Sequence, residues 1–169
     1  MTIRQVNTAD IKGINGARLG CAVKINGVCI TSTAKFPTPL TASDCATNKS
    51  KYGITNCKDN DDDYWGGAMK MCNQQGGRLP TDAELTSLAQ YLYNDASLTT
   101  SYKYDITFDT TKIPEALSGL ASTWYHLWSS TSFETGSIYA YYRGFTSSYT
   151  GKSNTYRDTS YIKAICIGD

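Results

Sequence analysis

The sequence predicts an α+β domain: two amphipathic helices, then a run of short strands. Three observations carry this. Apolar residues recur at helical spacing in two stretches between residues 61 and 95. A glycine-containing link, "GGRLP", separates those stretches. Beyond about Ser97 the helix signals fade, and runs rich in aromatic and hydroxyl side chains take over. Helices followed by strands is the order expected of an α+β domain.

The elements follow in chain order. "TADIKGINGARLG", residues 8–20, reads as a short helix ending in glycine. In "CAVKINGVCITST", apolar runs flank Asn26-Gly27, a dipeptide favoured in type I′ turns, so this stretch reads as a hairpin. "KFPTPLTASDC" reads as loop, broken by Pro37 and Pro39, and the remainder of residues 1–60 as irregular. In "DDDYWGGAMKMCNQQGGRLP", Trp65, Ala68, Met69 and Cys72 fall on one helical face. Asp61 to Asp63 place negative charge at its start, and Gly76-Gly77 ends it. In "TDAELTSLAQYLYND", Thr81 and Glu84 form a capping box, and Leu85, Leu88, Ala89 and Leu92 repeat the helical spacing. "IPEALSGLA" reads as a short helix. "STWYHLWSSTS" reads as a strand leading into a loop, with Trp124 or Trp128 buried. "SIYAYYRGF" and "SYIKAICIG" read as strands, and the intervening "TSSYTGKSNTYRDT" as polar loop or edge strand. No internal repeat of solenoid period is present.

The totals bound the function. The chain has 169 residues, enough for one domain with an appendage, and 40% are hydrophobic. Charged residues make up 18%, below the roughly 25% usual for soluble domains. A net charge of +1 gives no sign of a nucleic-acid or anionic-membrane partner. There is no run of about 18 apolar residues to span a bilayer, and no signal segment at Met1. Membrane contact is therefore expected only through an N-terminal anchor outside this sequence. Six cysteines are present, Cys21, Cys29, Cys45, Cys57, Cys72 and Cys166, with no C-x-x-C pair and a single histidine, His126. Disulfides in an extracellular or cell-surface protein are the better reading than a metal site. Fifteen pairings are open at this point.

The order of segments resembles the C-type lectin fold, from about Lys51 to Asp169. The residues that carry the likeness are "YWGGAMKMC", "GGRLPTDAEL", "LWSSTS", "AYYRGF" and "AICIGD". It divides the chain into an N-terminal appendage with a hairpin, residues 1–50, and a lectin-like ligand-binding domain, residues 51–169. "GGRLPT-x-x-EL" also resembles the formylglycine-generating enzymes, and the fuller string looks most like pilin-like bacterial surface proteins. The lectin resemblance implies a disulfide between Cys72 and Cys166, from first helix to last strand. For the other four cysteines, Cys21–Cys29 across the hairpin and Cys45–Cys57 are the expected pairs, with the other pairings still open.

Catalytic signals are absent. The sulfatase-activating relatives use a cysteine pair in the C-terminal part, where this chain has Cys166 alone. His126 lies between apolar neighbours, and no G-x-S-x-G elbow exists to place a nucleophile. "DNDDD", Asp59 to Asp63, fails as a calcium loop, with Tyr64 where glycine and Lys70 where glutamate are needed. The E-P-N, Q-P-D and W-N-D motifs of sugar-binding C-type lectins are missing. No enzyme activity, cofactor or metal is expected.

What stands out is "YAYYRGFTSSYTGKSNTYRDTSY", Tyr139 to Tyr161; the whole chain holds 13 tyrosines. Tyrosine offers a large ring at low conformational cost and a hydroxyl that tolerates water. With Ser, Gly and Asn it is the composition of antibody binding loops, and it reads as a binding surface for a macromolecule. "YAYY" places Tyr139 and Tyr141 on one strand face and Tyr142 on the other, so both faces of a surface-exposed strand cannot be core.

The segment also resembles the variable region of the target proteins of diversity-generating retroelements. These are lectin-fold proteins whose C-terminal codons are rewritten at template adenines. The rewritten codons yield Asn, Asp, Tyr, Ser, Thr, Gly, Ala, Ile and Phe among others, and never Glu, Lys, Gln, Met or Trp. The resemblance implies variable, ligand-contacting positions among Ser137, Ile138, Tyr139, Tyr141, Tyr142, Gly144, Ser147, Tyr149, Asn154, Tyr156, Asp158, Thr159 and Tyr161. Trp128, Arg143, Phe145, Arg157 and Cys166 would be fixed scaffold, with Glu134, Lys152 and Lys163 outside the rewritten codons. The expected partner is an unidentified protein or cell-surface macromolecule. A pilin-like adhesin or pilus subunit of fixed sequence is the alternative, followed by an oxidase related to the formylglycine-generating enzymes.

Overall fold

Asn26 and Gly27 both adopt positive φ, 46° and 82°, and turn β1 (Val23–Ile25) back onto β2 (Val28–Ile30). This is the type I′ geometry that the dipeptide favours. The computed structural model describes residues 20–119, 125–134 and 138–168. Most of the stretch read as a first short helix, and Trp124, lie outside the described residues, as does Ser137. β2 pairs antiparallel with β7 (Ile167–Gly168), so the hairpin and the end of the chain share a three-stranded sheet.

A helix that the sequence did not announce follows. α1 (Ala42–Tyr52) starts at Thr41, whose Oγ1 accepts from the Asp44 backbone N–H, and stops at Gly53 with φ 73°. Of its residues only Cys45 and Tyr52 are buried, so it has almost no apolar stripe to betray it. Caps, an acidic first turn, a basic last turn and the Cys45–Cys57 disulfide hold it instead. The division between residues 50 and 51 falls inside this helix.

The two helices read from periodicity are present. α2 (Tyr64–Gln74) buries Trp65, Ala68 and Cys72, and Asp63 caps it by accepting from Gly66 N–H. A Cβ on Gly67 would lie 1.8 Å from the Thr38 carbonyl oxygen, so residues 38–40 cross the helix backbone directly. α3 (Asp82–Leu92) has both hydrogen bonds of the capping box and buries Leu85, Leu88, Ala89 and Leu92. Among the described residues of "IPEALSGLA" a 3₁₀ turn, Glu115–Leu117, forms in place of a longer helix.

A four-stranded antiparallel sheet has the order β3 (Lys103–Tyr104), β6 (Tyr149–Tyr156), β5 (Tyr139–Phe145), β4 (His126–Ser132). The polar stretch read as loop or edge is an inner strand, paired with β5 from Tyr139↔Tyr156 to Phe145↔Thr150. "SYIKAICIG" is the opposite case. Lys163 bridges Leu127, Ala164 bridges Lys35, and Ile167 bridges Arg78 and pairs with β2. Because it changes partner every few residues, only Ile167–Gly168 forms a strand there.

Adjacent residues of β4 enter different cores. Leu127 joins Phe145, the hairpin and the α3 leucines, whereas Trp128 joins Ala140, α2, Leu79, Ile162 and Cys166. Each sheet face is thus covered by a helix over part of its length and open over the rest. Of the two tryptophans read as candidates, Trp128 is fully buried. Three disulfides, Cys21–Cys29, Cys45–Cys57 and Cys72–Cys166, leave no free cysteine. That full oxidation fits an extracellular, oxidising environment. Among the described residues the architecture is mixed α/β, with three α-helices and antiparallel sheets.

Candidate functional site

Two aromatic patches occupy the open parts of the four-stranded sheet, on opposite faces. The first is built on Gly144 and Gly151, which pair across β5 and β6. Above them lie Tyr149 and Tyr142 from the sheet, His126 from β4, Tyr104 from β3, Tyr102 from just before it, and Tyr161 from the segment after β6. The Tyr149 ring centroid is 5.7 Å from that of Tyr102 and 6.1 Å from that of Tyr104. The His126 ring is 4.9 Å from Tyr142 and 6.3 Å from Tyr161, and its Nε2 is 3.3 Å from the Tyr149 hydroxyl.

Glycine is the residue that permits this stacking. A Cβ on Gly151 would fall 2.7 Å from Tyr102 Cα, and one on Gly144 would fall 3.0 Å from Tyr149 Cε2. Gly144 is buried and contributes room rather than contact. Tyr104 and Tyr161 stand 65% and 63% exposed, while Tyr142 and Tyr149 are half-buried.

Burial favours the neutral forms of the groups at the base of this patch. It lowers the His126 pKa and raises that of the Tyr149 phenol. The Tyr142 phenol is pushed up to about 12 by burial, drawn partly back by the Ser153 hydroxyl. At neutral pH the patch presents phenols, an uncharged imidazole and a serine.

The second patch lies on the other face, at the far end of β5. Phe133 is 5.7 Å from Tyr139 and 5.2 Å from Tyr141, and Tyr139 is 4.6 Å from Tyr156 across the strands. Lys152 Nζ sits 3.7 Å over the Tyr141 ring and 2.8 Å from Asp82. Ile138, 48% exposed, and Tyr156, 49% exposed, border it, and Asn154 faces Tyr141 across the ladder.

The candidate positions are therefore divided. Tyr142, Gly144, Tyr149 and Tyr161 meet in the first patch; Ile138, Tyr139, Tyr141, Asn154 and Tyr156 meet in the second. Ser147 is exposed in the β5–β6 turn. Asp158 is exposed 3.9 Å from Lys58, and the Thr159 hydroxyl is 3.1 Å from that of Thr155. Tyr102, Tyr104, Phe133 and Ser153 belong to the patches, with His126 buried beneath the first, and none of them is among the candidate positions. The signal for two of them is "YKY": rings two residues apart share a strand face.

Different side chains hold the segment in place. Arg143, 2% exposed, donates to the hydroxyls of Thr150 and Thr86 and to the Thr99 carbonyl. Burial lowers its guanidinium pKa to about 10, so it stays charged at neutral pH. Arg157, 3% exposed, donates to both Asp63 carboxylate oxygens and the Asn56 carbonyl, over the Trp65 ring.

The acidic run is used structurally. Asp61 accepts from Ala42 N–H, Asp62 pairs with Lys58 at 2.8 Å, and Asp63 caps α2 while binding Arg157. Among the described residues no group of three or more His, Cys, Asp or Glu is placed to hold a metal ion, and no helix is long and apolar enough to cross a membrane. Comparison of the chain with protein-family models, curated proteins and solved structures returned no match.

Proposed function

We propose that this chain is a surface-displayed, non-catalytic binding protein of C-type lectin-like fold. Residues 137–161, with the rings that join them, form its ligand-binding surface. That surface is written by a diversity-generating retroelement. One observation carries the reading: the side chains that anchor the segment and those that it displays are different residues. Arg143, Phe145, Arg157 and Cys166 are buried, whereas Ile138, Ser147, Asn154, Tyr156, Asp158 and Tyr161 are exposed. The residue types that adenine-directed rewriting cannot produce are also structurally engaged. Trp128 is in the core, Lys152 binds Asp82, and Lys163 lies over Tyr125.

The test is the DNA 3′ of the gene. A near-copy of the gene's end is expected there, carrying adenines at the codons that differ, beside a reverse-transcriptase gene. Without such a copy in the source genome, diversification is wrong, and a pilin-like adhesin of fixed sequence takes its place. Thiol titration of the folded protein tests the non-catalytic half. No reactive thiol is expected, and a reactive pair would restore the oxidase alternative.

A further inference from the structure

We propose that the partner presents arginine side chains to the first aromatic patch. This rests on the binding-surface reading above and names the partner's chemistry. The observation behind it is the distribution of cations over rings. Lys152 lies 3.7 Å over Tyr141, Lys163 4.7 Å over Tyr125 and 5.1 Å over Phe36, and Lys112 5.1 Å over Tyr91. Arg157 lies 4.7 Å over Trp65, and Lys70 and Arg143 are each 6.0 Å from a ring centroid. Rings elsewhere in the described part of the molecule thus lie under cations of the chain itself, and the second patch already holds its own cation, Lys152.

The first patch is the exception. Among the described residues, no cation lies over Tyr102, Tyr104, Tyr142, Tyr149 or Tyr161. The cations nearest in sequence are engaged elsewhere: Lys103 is bound to Asp95 at 2.5 Å, and Lys163 is held between Tyr125 and Phe36. The imidazole beneath the patch is kept neutral by burial, and the exposed Asp105 follows Tyr104 in the chain. The rings present electron-rich faces and their phenol oxygens accept hydrogen bonds, and among the described residues no cation lies over them, Lys103 between Tyr102 and Tyr104 being ion-paired with Asp95.

A guanidinium suits this better than an ammonium. It is planar, stacks on a ring face, is weakly hydrated, and carries five donors for the phenol and serine oxygens. The net charge of the chain, +1, would itself weakly repel a cationic ligand, so a preference for arginine cannot come from bulk charge.

The test compares two peptides of equal length, alternating Gly-Arg and alternating Gly-citrulline, by ring-proton NMR titration of the intact protein. Citrulline keeps the shape and loses the charge. The arginine peptide is expected to shift the Tyr104, Tyr149 and Tyr161 rings saturably. It should bind at least about fivefold tighter than the citrulline peptide, the ratio that one or two exposed cation–π contacts supply. Tyr104→Leu and Tyr161→Leu, made separately at exposed positions, should each bring the ratio closer to one while leaving the unfolding temperature unchanged. Equal affinities at these rings would overturn the arginine proposal and leave the binding surface standing. Shifts confined to the Asp59–Asp63 loop, or none at these rings, would also overturn it. The failure of the diversification reading shows elsewhere, in the missing DNA copy, whatever the peptides do.

Discussion

His126 sits where a neutral imidazole is well packed and a charged one is not. It is the sole histidine of the chain, buried under Tyr142, Tyr149 and Tyr161, and burial lowers its pKa. Above the ordinary histidine pKa of about 6.5, it is neutral both folded and unfolded and has no effect on the pH dependence of stability. As pH falls below that value the unfolded chain takes up the proton first, so stability falls with pH. The loss is complete once pH drops below the lowered folded pKa. His126→Gln should flatten the fall in unfolding temperature between about pH 6.5 and 5. A wild-type curve already flat across that window would show that the imidazole is not held neutral. The carboxylates of Asp44, Glu84 and Asp109, held below their usual range by Lys70, Arg78 and Thr111, act at lower pH, so the two effects separate. The two glycines under the patch make a second contrast. Gly151→Ala drives a Cβ against Tyr102 backbone and should cost about 1–3 kcal/mol by denaturant midpoint. Gly144→Ala meets side chains rather than backbone, the edge of the Tyr149 ring at 3.0 Å and the His126 ring at 3.4 Å, and should cost less.

At the scale of elements, the segments legible in the sequence were those with a local physical signature. α2 and α3 advertised themselves by apolar spacing, and α3 also by Thr81 and Glu84. The hairpin advertised itself by Asn26-Gly27. α1 did not, because it buries only Cys45 and Tyr52 and is otherwise held by capping bonds, the Asp44–Lys70 ion pair and a disulfide to a residue outside it. β6 was obscured because most of its side chains face the patches rather than a core, leaving it without an apolar alternation. Beyond its ladder with β5 it is anchored by Arg157, which reaches back across 94 residues to Asp63. Arg157→Ala would leave the Asp63 carboxylate buried and uncompensated, with α2 losing the support of its N-cap. A loss of about 3–5 kcal/mol is expected in urea unfolding. A loss under about 1 kcal/mol would mean that the pair behaves like an exposed ion pair.

For the whole molecule, the structure separates what holds it from what it shows. Two cores meet at β4, and Cys72–Cys166 ties α2 to the end of the chain. Replacing both cysteines by alanine should cost about 2–5 kcal/mol, read from thermal unfolding under non-reducing conditions. The composition of the tyrosine-rich segment pointed to exposed rings, and Tyr156 and Tyr161 are exposed, while Arg143, Phe145 and Arg157 within it are buried. The segment's division into two patches was not legible in the sequence, because that depends on the covering of each sheet face by a different helix over part of its length. Nor was the contribution of Tyr102 and Tyr104, which arrive from a two-residue strand.

The central claim is that the displayed side chains are replaceable on a fold that does not need them. The direct measurement is the thermal unfolding of a set of variants in which Ile138, Ser147, Asn154, Tyr156, Asp158 and Tyr161 are changed together to random choices among Asn, Asp, Ser, Tyr and Gly. The account predicts that most unfold cooperatively within about 5 °C of the parent, since a chain of this size moves about 2–4 °C per kcal/mol. If most fail to fold, or lose about 15 °C or more, several kcal/mol of stability resides in these side chains. The surface would then be part of the scaffold and not a display upon it.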